Sequence, residues 1–267
     1  MRARAIRAAL GASGLAFAVA AQAGPYTEAG YAPVLMTAWA TSVDELVRGP
    51  RDIASPGLGD ASFGNAAEAL GPPGEMTAYE VVSLGDGGHI TLHFSSGIGD
   101  GPGDDFAVYE NGFETLDGLF AELAFVEVSS DGVVFHRFDA ATENTAPVSG
   151  PNGDTIDPTD YHNFGGKHEQ GVGTGFDLSE LGLSEVSYVR LVDVIGTGDP
   201  AYATQDHLGN TVYDPYATPF DAGGFDLDAV GVLHVPEPGA LAAQLAAVSA
   251  LAVLSRRRRA GSCGRGG

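Results

Sequence analysis

Carboxylates gather in the glycine-rich stretches of this sequence: Asp100, Asp104, Asp105 and Glu110-Asn111 in one region, Asp226 and Asp228 in another. Ca²⁺ takes about six to eight oxygens from carboxylates, amides and backbone carbonyls, and loops supply these well. In an extended strand Asp226 and Asp228 point to one face, where two like charges are costly unless solvated or shared with a cation. Asp104, Asp105, Glu110, Asp226 and Asp228 are therefore the candidate ligands of a structural Ca²⁺. No spacing matches a defined loop such as the EF-hand. Asp in turns also has a simpler explanation, side-chain hydrogen bonds to nearby backbone.

Other chemistries find less support. Seven histidines are present, with His162 and His168 flanking Gly165-Gly166-Lys167 and His89 four residues before His93, but no H-E-x-x-H pattern occurs. A G-x-S-x-G nucleophile elbow is missing too. A glycosidase pair needs two carboxyls about 5–10 Å apart, and in so acidic a chain such pairs arise by chance. The Gly85–Gly88 turn is no phosphate loop, because Asp86 would repel phosphate and no Gly-Lys-Ser/Thr follows. Tyr109, Phe113, Tyr161, Phe164, Tyr202, Tyr213 and Tyr216 fall in or beside loops, where a sugar platform could form, with core packing as the alternative.

The elements that must position these groups read as strands. His89–Phe94, Asp105–Tyr109, Leu123–Val128, Val133–Phe138, Val186–Val194 and Phe225–His234 are short β-branched and aromatic runs between Gly, Asp, Asn and Pro clusters. That spacing predicts an antiparallel sandwich or barrel. The alternating run Phe125–Ser129, the turn Asp131-Gly132 and the return Val133–Phe138 predict a hairpin. Helix signals are few: Ser42–Val47, capped by Ser42, and one turn at Leu178–Leu181.

Both ends read as processing segments. Arg2, Arg4 and Arg7 precede an apolar run from Ala8 to Ala21 and the small-x-small triplet Ala21-Gln22-Ala23, which predicts a secretory signal over residues 1–23. Residues 24–235 keep five of 13 Lys+Arg and 34 of 35 Asp+Glu, a formal charge of −29. Such a surface excludes nucleic acid as a partner and repels anionic membranes. The single cysteine, Cys263, lies in the tail, so no disulfide is expected.

Phe125–Phe135, Ser187–Leu191 and Phe225–Val230 resemble, in order, the strand–turn–strand, a later strand and the closing strand of galactose-binding (discoidin-like) domains. That resemblance implies an all-β antiparallel jelly-roll β-sandwich over 24–234, in a fold that often holds a structural calcium. Ser83–Gly88, Gly101–Phe106, Tyr109–Phe113, Gly173–Leu178 and Gly223–Asp228 resemble pieces shared by surface proteins of the PEP-CTERM class. The tail is similar to their sorting signal: Val235-Pro236-Glu237-Pro238, an apolar stretch Ala240–Leu254, then Arg256, Arg257, Arg258 and Arg259. Residues 260–267 would be a short cytoplasmic extension.

The resemblance implies cleavage by an exosortase. Transient insertion in the inner membrane through a single helix would precede release to the cell surface or extracellular matrix. Pro-Glu-Pro keeps the site extended, since a residue before proline avoids the α region. The apolar stretch is near the lower length for a bilayer span, and the arginines hold its end in the cytoplasm. The expected role is non-enzymatic, binding extracellular polysaccharide with Ca²⁺ as support. The alternatives are a polysaccharide-active hydrolase or a purely structural acidic matrix component.

Overall fold

The computed structural model describes residues 24–74, 79–148 and 155–236. The expected signal, the apolar tail segment, Glu237, Pro238 and the four arginines lie outside the described residues. Among the described residues no helix is long and apolar enough to cross a membrane.

Two six-stranded sheets, with all strand pairs antiparallel, make up the body. In the first, the order is Gly30–Tyr31, Gly173–Phe176, Phe106–Glu110, Asp226–Val232 and Ala38–Trp39, with Val82–Ser83 also paired to Asp226–Val232. In the second it is His136–Arg137, Ala124–Ser129, Glu185–Asp193, His89–Gly99 and Ser42–Val47, with Phe164–Gly165 also paired to Ala124–Ser129. The sheets share one apolar cluster. Phe106, Val108, Phe176, Leu227, Val230 and Val232 come from the first sheet, and Ile90, Leu92, Val126, Val128, Val189 and Leu191 from the second.

Alternation explains which side chains enter. In Ala124–Ser129, Val126 and Val128 join the shared core, while Phe125 turns to a second cluster with Leu123, Tyr161, Phe164 and Val212. The long connections thus cover the outer face of the second sheet. Ala107, Tyr109 and Ala229 on the outer face of the first sheet pack against Tyr31, Met36 and Trp39.

Ser42–Val47 is a strand rather than the expected helix. It pairs with the His89 strand, Ser42 opposite His93 and Val47 opposite His89, with a bulge between Val43 and Glu45. The bulge places Val43 and Leu46, three apart, on the same core, and this spacing reads as helical in the sequence. The hairpin exists, but its return strand is only His136–Arg137, opposite Val128 and Glu127. Val133 and Val134 stay exposed in the turn, where their amides donate to Asp131 Oδ1. Leu178–Leu181 forms a 3₁₀ turn capped by Asp177 and ended by Gly182 at φ 65°.

Candidate functional site

The five carboxylates proposed to share a calcium separate into distinct places. Asp105, fully buried, ties two loops together: its Oδ1 accepts from the Gly101 amide at 2.6 Å and its Oδ2 from the Leu178 amide at 2.8 Å. Its carboxylate, with those of Asp100 and Asp177, forms a trio whose oxygens lie within 4.8 Å of one another. Asp104 instead hydrogen-bonds Tyr31. Asp228 accepts from the Gly74 amide at 3.0 Å. The period-2 argument for Asp226 and Asp228 does not hold as stated. A bulge lies between Leu227 and Ala229, and Leu227 and Val230, three apart, both enter the core.

Glu110 and Asp226 lie on adjoining strands, Glu110 opposite Leu227, and the charge of Asp226 acts on both Glu110 and Glu122. Glu110 ends the Phe106–Glu110 strand, and Asp226 begins the strand beside it. Asp226 accepts from Ser83 Oγ through Oδ1 and from Asn111 Nδ2 at 3.1 Å through Oδ2. Glu122 accepts from Thr218 Oγ1 at 3.0 Å. Glu110 Oε2 accepts from the Gly112 amide at 2.6 Å, and the backbone amides of Glu122 and Asn111 also act on this carboxyl.

Burial, and then the charge of Asp226, push the carboxyls of Glu110 and Glu122 well above the usual range. Burial also raises Asp226, to about 6, against the opposing pull of Ser83, Asn111 and Arg48. Arg48 acts on Asp226, and its guanidinium donates to the carbonyls of Phe63, Ser83 and Gly64.

Glu122 and Asp226 line an open cleft of about 300 Å³. Glu122, Asp226, Asn111 and Thr218 give it a polar floor, and Phe113, Phe120 and Phe220 give it aromatic walls. The hairpin of Phe113–Thr115 and Gly118–Phe120 stacks Phe113 on Phe120 with centroids 5.0 Å apart. Phe113 and Phe220 remain 54% and 67% exposed, enough for a ligand to reach their faces.

Of the aromatics singled out in the sequence, Phe113 alone lines this cleft. Tyr109, Tyr161 and Phe164 are fully buried core residues. Phe120, Phe220 and Glu122 carried no loop or motif signal. One mark did exist for Glu122: it is the single acid in the apolar run Leu119–Val126.

A second set of buried acids is structural. Asp86 Oδ2 accepts from the Ile53 amide, Asp193 from the amides of Gly87 and Phe225, and Asp214 from that of Leu123. Here the glycine-rich pieces of the sequence meet, since the Gly85 amide donates to Gly223 and the Leu84 amide to Phe225. Gly224, at φ 71°, lies so close to Gly85 that a Cβ would stand 2.8 Å from its backbone.

The histidines are dispersed: His89 faces Glu45, His93 packs on Tyr188, His207 bonds the Ala140 carbonyl, and His162 faces Glu28. Val235 and Pro236, the last described residues, have no regular structure, and Pro236 lies against Gly97 and Gly99.

The fold and the site together define an all-β protein of two antiparallel sheets with an acidic, aromatic-walled cleft at the edge of the first. No protein-family model and no curated protein matches the chain.

Proposed function

We propose that this is an exported, non-enzymatic surface or matrix protein that binds extracellular polysaccharide in the cleft between Phe113, Phe120 and Phe220. The observation that carries the reading is that cleft: exposed aromatic faces above carboxylate, amide and hydroxyl groups. Aromatic rings take the apolar face of a sugar, and the polar floor takes its hydroxyls. An open groove of this kind suits a chain rather than a small enclosed ligand.

The finer parts of the reading rest on resemblance. The sheets are those of a galactose-binding-like jelly roll, and residues 1–23 direct export. The tail from Val235 is a PEP-CTERM signal cut by an exosortase after transient insertion in the inner membrane. Ca²⁺ supports the domain.

A glycan array tests the binding step. The wild-type protein retains a polysaccharide without releasing product. The double variant Phe113→Ala/Phe220→Ala, altered only at exposed rings, loses retention by about tenfold or more, as removal of two contact aromatics predicts. Equal retention by the variant refutes the cleft as the site. One observation favours a hydrolase as the second reading: Glu122, with its raised carboxyl, faces the same cleft as Asp226, as an acid and its partner would. Release of reducing ends that stops in Glu122→Gln decides for it.

A further inference from the structure

We propose that the aromatic cleft selects a cationic glycan, a polymer of amino sugars with unacetylated amines, by pairing an ammonium group with the carboxylate of Glu122. The inference rests on the glycan-binding reading and names the sugar class that this reading leaves open.

The cleft has two kinds of lining. Phe113 and Phe220 offer exposed faces, which take the apolar side of any sugar ring. The polar groups between them decide which sugar is favoured. Two of these are acids, Glu122 and Asp226, and no Lys, Arg or His joins them among the described residues. Asp226 is engaged on both oxygens, by Ser83 Oγ and Asn111 Nδ2. Glu122 accepts from the Thr218 hydroxyl through Oε1.

A carboxylate set in a buried wall needs a paired charge or a proton. An ammonium supplies the charge and donates a charge-assisted hydrogen bond, which is stronger than a neutral hydroxyl makes. A uronate or sulfated chain brings like charge to the same wall and is rejected by it.

The hairpin beside the cleft extends the pattern. Its strands pair Phe113 with Phe120 and Glu114 with Leu119. The phenylalanines line the first cleft, and Glu114 and Leu119 line a second, of about 410 Å³, on the other side. Asp117 and Asp157 also line that second cleft, again with no Lys, Arg or His among the described residues. One hairpin thus separates two grooves whose charged lining is wholly acidic. A polymer crossing it sets successive amines beside successive carboxylates, which a single amino sugar cannot do. Flat aromatic faces favour rings over an extended basic peptide, the competing ligand of the same charge.

The formal charge of −29 over residues 24–235 attracts any polycation, so the test must isolate the cleft. Calorimetric titration of the wild-type protein compares a β-1,4-glucosamine oligomer with the same oligomer N-acetylated, at a pH where the amine is charged. The free amines are expected to bind about tenfold more tightly or better, the worth of one charge-assisted hydrogen bond. Oligogalacturonate is not expected to bind. Glu122→Gln removes most of the preference and still binds the N-acetylated oligomer. Asp100→Asn, an equal change of charge outside the cleft lining, keeps the preference. Phe220→Lys, at a ring 67% exposed, sets a cation at the cleft and abolishes the preference without touching a buried acid.

Equal binding of the two oligomers by the wild type overturns amine selection and leaves the glycan reading standing. A preference that survives both Glu122→Gln and Phe220→Lys belongs to the general surface charge and overturns it as well. No oligomer bound in any form overturns the glycan reading itself. Oligolysine bound instead, and lost in Phe113→Ala/Phe220→Ala, makes a basic peptide the occupant and overturns both.

Discussion

Glu28 and Lys167, 139 positions apart, form an ion pair in which Lys167 is 2% exposed. Lys167 Nζ also donates to the Tyr161 carbonyl, and His162 Nδ1 lies 2.6 Å from the other oxygen of Glu28. Burial works against the Glu28 carboxylate, but His162 and Lys167 outweigh it and hold its pKa at about 2. The pair therefore fastens the first described segment to the turn around Tyr161–Lys167.

Glu28→Gln strands a buried ammonium and is expected to cost about 3–5 kcal/mol. That loss lowers the Tm by roughly 10 °C. Glu28→Gln/Lys167→Met, which removes both charges, recovers most of the loss. Melting of the two variants by circular dichroism checks this, and equal Tm values would show that the pair is not the fastening.

Stability in EDTA should be greatest in mild acid. Burial raises Asp86 to about 6, with Ile53 opposing and Asp52 adding to the rise, and raises Asp193 and Asp214 well above the usual range. The folded state binds these protons more tightly than the unfolded chain, so the penalty is absent below about pH 4 and grows as pH climbs through 6 and beyond. Glu28 has the opposite sign: its contribution is complete above about pH 4.5 and fades as pH falls toward 2. A Tm maximum near pH 4–5, falling on both sides, is the expected profile. A Tm that climbs steadily from pH 4 to 8 would contradict it.

Asp105 matters as a tie between loops. Asp105→Ala removes two charge-assisted bonds, to the Gly101 and Leu178 amides, and leaves both donors buried or half-buried. A loss of about 3 kcal/mol or more is expected in denaturant titrations. Asp100→Asn, at an exposed position of the same trio, should change stability by less than about 0.5 kcal/mol.

Gly224→Ala combines a left-handed backbone with a methyl 2.8 Å from both Asp193 Oδ1 and the Gly85 backbone. Its cost should reach about 3 kcal/mol, against about 1 kcal/mol for the strained backbone alone. Gly209→Ala, at φ 87° with nothing within 4 Å of its Cβ, isolates the backbone part.

The strands were legible because Phe106–Glu110, Ala124–Ser129 and Glu185–Asp193 carry dense apolar patterning between turn residues. Ser42–Val47 was not, because its bulge imitates the helical period and its pairing with the His89–Gly99 strand is a tertiary matter. At the site, Glu110 and Asp226 stood out by composition, but the pairing of their strands is set by long-range contacts. Glu122 was hidden for a different reason. A lone acid in Leu119–Val126 reads as the polar face of a strand, and its burial becomes visible only when the Thr218 connection covers it.

The place of Asp226–Val232 in the first sheet has a kinetic consequence. This strand, near the end of the described chain, has Phe106–Glu110 on one side and both Ala38–Trp39 and Val82–Ser83 on the other. Until it emerges from the ribosome, Phe106–Glu110 has only Gly173–Phe176 beside it, and the two earlier strands have no template. The rate of folding is then set by closure of very long loops, a slow class of event. A chain still awaiting that strand stays open, the condition in which a polypeptide can be threaded through a translocation pore.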